Sequence, residues 1–207
     1  MEIVLATTNP NKLREFRAML QDIDIEVVSL DSFSNCPEII EDGESFAENA
    51  LKKARTIAQH TGCMTLADDS GLEVDFLGGM PGIYSARYAG EKADDRKNNE
   101  KLLKKLKDVP TGKRGARFKC VIAAVAPDGA KQVVEGAYPG IIIPEPRGSN
   151  GFGYDPIFLD EQTGLTYAEM DPEYKNRISH RSQAIRELKK ILPRFLERCG
   201  KSNGGVQ

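Results

Sequence analysis

The sequence lacks any apolar run approaching the ~18 residues that a membrane-spanning helix needs. We expect no secretory signal either, because the opening residues MEIVLA are too short and too acidic for one and are typical of a first strand. We therefore predict a water-soluble protein with no membrane partner, located in the cytoplasm.

Cysteine pairs and excess charge are missing as well. The cysteines at 36, 63, 120 and 199 show no C-x-x-C spacing, which argues against a zinc site and against a disulfide framework. With 29 basic and 31 acidic residues the net charge is −2, so no global field would hold a long polyanion. We predict no nucleic-acid partner, and any phosphate ligand must be held by local chemistry.

The pattern that is present indicates an α/β fold. Residues 2–6 and 25–29 are rich in strand formers, and residues 12–20 place apolar side chains at helical spacing between them. Residues 117–126 and 131–137 flank a tight turn and predict two antiparallel strands of a second lobe.

A second helix is predicted by its end signals. Ser45 and Glu48 have the spacing of a capping box, and Gly62 is a natural stop. Residues 182–198 predict a closing helix, with apolar side chains on its inner face.

The turn after the first strand is the first candidate site. Short polar side chains, a helix start and one ammonium group can converge there on an anion. The residues concerned are Thr7, Thr8, Asn9, Pro10, Asn11 and Lys12. An ordinary polar turn with a helix-capping residue explains them equally well.

Asp68 and Asp69 form the second candidate, at the predicted end of a strand over residues 64–67. Adjacent carboxylates repel each other, and Mg²⁺ would neutralise them while bridging to phosphates. Glu41, in an acidic loop over residues 31–44, could supply a further oxygen. In the alternative interpretation Asp68 caps a turn and Asp69 is solvated.

A glycine-rich loop over residues 148–155 is the third candidate. Phe152 offers a ring for stacking on a flat ligand, and Asp155 offers an acceptor for base N–H groups. The alternative is an Ω-loop closed on its own side chains. Near the last helix, Lys175, His180 and Arg181 can face a cleft, although a lone histidine is more often structural.

Taken together, these segments resemble the inosine triphosphate pyrophosphatase family. The resemblance spans nearly the whole chain and rests on ordered matches. They are residues 6–12 (ATTNPNK), 45–50 (SFAENA), 67–72 (ADDSGL), 81–88 (PGIYSARY), 151–156 (GFGYDP) and 178–181 (ISHR).

The resemblance implies a fold, a cofactor and an assembly. It implies an elongated mixed sheet with two lobes around a central cleft, a single domain over residues 1–199, and a homodimer that requires Mg²⁺. Residues 200–207 are predicted to be a disordered tail.

The resemblance also implies roles for individual residues. Asp69 would be the catalytic base, and Asp69 and Glu41 would hold the metal. From the residues themselves, Asp68 is a further candidate metal ligand, and Lys53, on the predicted second helix, is a candidate catalytic residue that could reach phosphate oxygens. The nucleotide would contact residues 7–12, Ser70, Phe152, Gly153, Tyr154, Asp155, Lys175, His180 and Arg181. The implied reaction is hydrolysis of non-standard purine nucleoside triphosphates to the monophosphate and pyrophosphate.

Two other functions are compatible with parts of the pattern. A Maf-like pyrophosphatase that prefers pyrimidines would have an opening loop of the form Ser-x-Ser-x-x-Arg, which differs from the Asn9 to Lys12 segment here. A nucleotide-sensing module without turnover would not need the water-activating carboxylate that the Asp68 and Asp69 pair provides.

Overall fold

The computed structural model describes residues 1–202, in which strands and helices alternate up to the fourth strand, followed by two further strands and two final helices. The strands are β1 (Glu2–Leu5), β2 (Glu26–Ser29), β3 (Thr65–Val74), β4 (Gly115–Val125), β5 (Lys131–Ile142) and β6 (Phe158–Leu159). The helices are α1 (Pro10–Leu20), α2 (Phe46–Thr61), α3 (Asp95–Lys105), α4 (Pro172–Ile178) and α5 (His180–Ser202). Residues 203–207 of the predicted tail lie outside the described residues.

The strands form one mixed sheet in the order β2-β1-β3-β4-β5-β6. β1 pairs in parallel with both β2 and β3, and β5 pairs antiparallel with β6. Parallel neighbours need a crossover connection, which α1 supplies between β1 and β2. The predicted mixed α/β class is confirmed.

Helix α2 has the ends that its sequence predicted. The Ser45 side chain accepts a hydrogen bond from the Glu48 backbone N–H at 3.2 Å, and Gly62 ends the helix with a left-handed φ of 66°. The Glu48 carboxylate, however, accepts from the backbone N–H of Glu44 at 2.8 Å. This helix therefore has the serine cap, while the glutamate of the box stabilises the preceding loop.

Asp68 and Asp69 lie in the middle of β3, so the prediction that they sit at a strand end was wrong. The strand runs on from Thr65 to Val74, and residues 65–69 are all buried. A buried carboxylate is tolerated where a cation compensates it. Cations from distant segments, described below, allow the strand to continue through this acidic pair.

The chain divides into two compact units. The first unit comprises Met1–Asp69, Cys120–Gly136 and the described residues from Arg181 onward. Its core contains Ile3 and Leu5 of β1, Phe16 of α1 and Leu188 of α5, among others. The turn between β4 and β5 belongs to this unit, and not to a second lobe as the sequence predicted.

The second unit comprises Ser70–Lys119 and Ala137–His180. Its core is richer in aromatic side chains and includes Phe118, Phe158 and Tyr167, with centroid separations of 4.5 to 5.6 Å. None of the helices described is long and apolar enough to span a bilayer.

Candidate functional site

The turn between β1 and α1 is organised by Asn9. Its side-chain oxygen accepts from the backbone N–H groups of Asn11 at 2.9 Å and Lys12 at 3.3 Å, and the Thr7 hydroxyl oxygen accepts from the Asn9 N–H at 3.2 Å. Pro10 occupies the first helical position, and Thr8 is exposed. The helix start is therefore capped from within, and it presents Lys12 at a half-buried position.

Asp68 is the centre of a buried charge network in the first unit. Its Oδ2 lies 3.1 Å from the Lys12 Nζ and 3.1 Å from the Arg181 guanidinium. Another nitrogen of the same guanidinium, Nη1, lies 2.5 Å from Oε2 of Glu15. Arg181 is only 2% exposed, so its charge is compensated by two carboxylates that lie 113 and 166 residues away in sequence.

The network keeps Asp68 ionised. Burial alone would raise the pKa of Asp68, but the charges of Lys12, Arg181 and Lys53 outweigh it and hold the pKa far below its usual range. The neighbouring Cys120 responds in the opposite sense, since burial and the Asp68 charge raise the pKa of its thiol to about 12. Cys120 is therefore a neutral core residue.

Lys53 lies between two carboxylates. Its Nζ is 2.6 Å from Glu41 Oε1 and 3.7 Å from Asp69 Oδ1. Burial opposes the charge on Lys53, yet the carboxylates of Asp69, Asp68 and Glu41 prevail and raise its pKa.

Asp69 has a different environment from its neighbour Asp68. Burial and the nearby Glu41 charge raise the pKa of Asp69, and Lys53, Lys12 and a hydrogen bond from Asn49 offset this only in part. Adjacent acids with pKa values displaced in opposite directions are suited to separate roles, one as a fixed charge and one as a proton acceptor.

The structure brings Glu41 and Asp69 together as possible ligands for a cation, since both reach the same Lys53 ammonium group. Mg²⁺ commonly takes one or two protein carboxylates and fills its other positions with water and phosphate oxygens, so this donor pair fits the ion. Within residues 1–202, three or more acidic, histidine or cysteine side chains are nowhere grouped to hold a metal. Asp68 is engaged instead by Lys12 and Arg181.

A second cluster lies in the second unit, around the loop over residues 151–155. The Lys175 Nζ is 2.5 Å from Asp155 Oδ2, which also accepts from the Phe152 backbone N–H at 2.9 Å. The same ammonium group lies 5.0 Å from the Phe152 ring centroid and 5.5 Å from that of Tyr167. Gly151 is required here, because a Cβ on it would lie 2.0 Å from Asp155 Oδ2.

The other residues proposed from the sequence differ in accessibility. Tyr154 is buried and donates its hydroxyl to the Ser85 carbonyl at 2.9 Å. His180 is buried, and its ring stacks on Phe118 with centroids 4.8 Å apart. Ser70 follows Asp69 on β3 and is half-buried.

Sequence reasoning missed several polar residues that support these clusters. They are Glu15 beside Arg181, Asn49 beside Asp69, and Asp95 and Asn99, which bond the backbone N–H and carbonyl of Gly153. A buried arginine needs a carboxylate partner, but the spacing of residues in the sequence does not indicate which carboxylate that is. Asn49 lies within residues 45–50, one of the segments that carry the family resemblance, but the local sequence does not indicate a role for it.

The fold and these clusters define an α/β protein in which two adjacent, buried carboxylates on a strand of a mixed sheet pair with lysines from two helices. A model of the Ham1 family matches residues 3–191, and the chain belongs to that family. The predicted resemblance is confirmed.

Individual relatives cover nearly the whole chain. It is 50% identical over 191 residues to a dITP/XTP pyrophosphatase of Bacillus licheniformis, covering 92% of this chain and 97% of that protein. Identity to the dITP/XTP pyrophosphatase of Bacillus subtilis is 47%, over 92% of this chain and 96% of that protein. Among solved structures, a HAM1 protein from Coxiella burnetii matches with a TM-score of 0.85 at 44% identity, covering 94% of this chain and 99% of that one.

Proposed function

We propose that this protein hydrolyses non-standard purine nucleoside triphosphates, such as those of inosine and xanthosine, to the monophosphate and pyrophosphate. One observation carries the proposal. In a chain whose relatives are named dITP/XTP pyrophosphatases, Asp69 and Glu41 meet around the Lys53 ammonium group. A nucleotide-sensing module would have no use for a proton acceptor placed in this way.

The chemical step assigned to the first unit is attack of water on the α-phosphorus. Asp69 takes the proton of the attacking water, because its environment favours proton uptake while that of Asp68 does not. The bond to the pyrophosphate oxygen breaks, and Lys12 and Lys53 stabilise the charge that develops on the phosphates. The turn over residues 7–12 binds the triphosphate.

Mg²⁺, when bound by Asp69 and Glu41, would supply positive charge to the phosphate oxygens. We assign Asp68 and Arg181 to a supporting role, because their charged groups pair with each other within the buried network. Asp68, held by Arg181, keeps Lys12 beside strand β3.

Selection of the base is assigned to the second unit. The Phe152 ring provides a stacking surface, and Lys175 provides a donor for the 6-oxo group of hypoxanthine or xanthine. Adenine has a 6-amino donor at that position and would offer the ammonium group a second donor in place of an acceptor, which is the kind of mismatch that discriminates strongly. Ser70, Gly153, Tyr154, Asp155 and His180 complete the proposed set.

The test is a panel of purine and pyrimidine triphosphates, assayed with Mg²⁺ or with a chelator and scored separately for pyrophosphate and orthophosphate. We expect pyrophosphate from inosine and xanthosine triphosphates, little turnover of ATP or GTP, and loss of activity on chelation. Orthophosphate as the first product, or equal rates for ATP and inosine triphosphate, would contradict the proposal.

The family resemblance also supports a homodimer, acting in the cytoplasm and independent of nucleic acid. Light scattering of the purified protein tests the assembly, and a single-chain mass at micromolar concentration would argue against it.

A further inference from the structure

Asn49 occupies an unusual position in the first unit, on α2 between the acidic loop and strand β3. It is fully buried, with 0% of its surface exposed. Its Oδ1 accepts from the Gly43 backbone N–H at 2.8 Å, and its Nδ2 donates to Asp69 Oδ2 at 3.0 Å. A single neutral side chain thus joins the acidic loop to the proposed catalytic carboxylate.

The orientation of the Asn49 amide follows from hydrogen-bond chemistry. A backbone N–H can only donate, so the atom that faces Gly43 must be the amide oxygen. The amide nitrogen then necessarily faces Asp69, and Asp69 Oδ2 is held as an acceptor. The other oxygen, Oδ1, is the one that faces Lys53 at 3.7 Å.

Asn49 and Lys53 form two bridges between the same pair of segments. They stand one helical turn apart on α2 and therefore share a face. Asn49 links Gly43 to Asp69 Oδ2, whereas Lys53 links Glu41 to Asp69 Oδ1. One bridge is neutral and the other is charged.

The two bridges differ in what a triphosphate would do to them. A polyanion attracts the Lys53 ammonium group away from its carboxylates, but it exerts no comparable pull on a neutral amide. Burial also protects the Asn49 bonds from competing water. The neutral bridge is the one that persists when substrate enters.

We propose that Asn49 is a positioning residue, which holds the Asp69 carboxylate and the acidic loop in register while Lys53 engages the phosphates. This rests on the proposed function for its catalytic consequence. Asn49 itself does not contact the reacting atoms in this assignment.

The proposal is tested with two substitutions at the same position. Asn49→Leu removes both hydrogen bonds while keeping similar bulk, and Asn49→Asp keeps an acceptor for Gly43 but presents a carboxylate oxygen to Asp69. We expect kcat for inosine triphosphate to fall by ~10²-fold in both variants, the loss typical of a misplaced catalytic group, with KM changed by less than ~3-fold. An Asn49→Asp variant with normal kcat would show that Asn49 only anchors the loop and would overturn the proposal.

A matched control is available in the same loop. The Lys52 and Asp42 side chains pair at 2.5 Å in an exposed position, so Lys52→Gln loosens the acidic loop without touching Asp69. We expect kcat and KM of this variant to stay within 2-fold of the wild type, as for most exposed ion pairs. A loss equal to that of Asn49→Leu would assign the effect to general loosening and overturn the proposal.

Gly43→Ala disturbs the same bridge at the Gly43 end, where the backbone N–H donates to Asn49. A Cβ at this position would lie 2.7 Å from Asn49 Oδ1 and 2.9 Å from Glu48 Cβ, so the loop must shift away. The double variant Gly43→Ala, Asn49→Leu should be no worse than the more damaging single variant, because both break one link. Full additivity of the two losses would contradict a shared bridge.

A readout without substrate or metal separates this proposal from the proposed function. Amide hydrogen exchange of the Gly43 N–H should accelerate at least 10-fold in Asn49→Leu but remain slow in Asn49→Asp and Lys52→Gln, which retain its acceptor. An unchanged exchange rate of the Gly43 N–H in Asn49→Leu would show that Asn49 does not bridge Gly43 to Asp69, and it would overturn the proposal. A wild-type protein that fails to release pyrophosphate would instead refute the proposed function, and it would leave the exchange result interpretable.

Discussion

The two units accommodate buried charge in different ways. The first unit surrounds Asp68 with two cations and Arg181 with two carboxylates, so that each charge is shared among several partners. The second unit holds a buried ion pair, Lys175 with Asp155, against the Phe152 and Tyr167 rings. We propose that the shared network supports the chemistry at the triphosphate, whereas the cation beside aromatic rings contributes to recognition of the flat base.

Removal of the proposed base in the first unit should reduce turnover more than any other single substitution. Asp69→Asn keeps the shape of the side chain but cannot take a proton, so kcat should fall by ~10²- to 10⁴-fold with little change in KM. Pyrophosphate release from inosine triphosphate measures the effect. The control is Asp42→Asn, which changes an exposed carboxylate of the acidic loop and should leave turnover unchanged. Near-normal turnover of Asp69→Asn would exclude Asp69 as the catalytic base.

The charge network should matter for stability as well. Glu15→Gln leaves the buried Arg181 guanidinium with a neutral partner at one end, and we expect the free energy of unfolding to fall by ~3–5 kcal/mol. Urea denaturation at neutral pH measures the loss, with Glu26→Gln as a control because Glu26 is an exposed carboxylate of the same unit. A loss below ~1 kcal/mol would place the pair among ordinary surface ion pairs and would weaken the contrast between the units.

In the second unit, removal of the buried cation Lys175 should affect binding of the base more than the rate of the chemical step. Lys175→Met removes the proposed donor to the 6-oxo group and the cation above Phe152, so KM for inosine triphosphate should rise about 10-fold, or ~1.4 kcal/mol, while kcat changes less. Steady-state kinetics with inosine triphosphate and with ATP give the ratio of the two kcat/KM values, and this ratio should decrease in Lys175→Met. Lys104→Met, at an exposed position in α3, is the control, and a pure kcat effect at Lys175 would contradict the division of roles.

Features set by neighbouring residues were predictable from the sequence. Helix α2 has its serine cap and its glycine stop where the local pattern placed them, and the strand, helix and strand opening of the chain is present. These signals act over a few residues, so a single sequence contains them completely.

Features set by distant partners were not predictable in the same way. The sequence predicted a strand end at the acidic pair because the apolar run over residues 64–67 stops there. Lys12 and Arg181, which make the position tolerable, come from opposite ends of the chain. Glu15 looked like an ordinary helix residue for the same reason, since its partner lies 166 residues away.

The smallest expected effect concerns the support of the aromatic loop by α3. Asn99 donates to the Gly153 carbonyl at 3.0 Å, and Asp95 accepts from the Gly153 N–H at 2.6 Å. Asn99→Ala removes one of these two anchors, and a typical hydrogen bond contributes only ~1 kcal/mol. The change also removes the Asn99 Oδ1, which is buried without a hydrogen-bond partner among the residues described, and this partly offsets the loss.

We therefore expect the preference for inosine triphosphate over ATP to fall by no more than ~5-fold in Asn99→Ala, following from that ~1 kcal/mol, with kcat unaffected. Arg96→Ala, which breaks only an exposed pair with Glu100 on the same helix, should leave the preference unchanged. Because Asp95 still fixes Gly153, a collapse of selectivity in Asn99→Ala would mean that Asn99 touches the base directly. The second unit would then recognise the base through a neutral amide as well as through Lys175, and the buried pair of Lys175 with Asp155 would no longer be its distinguishing feature.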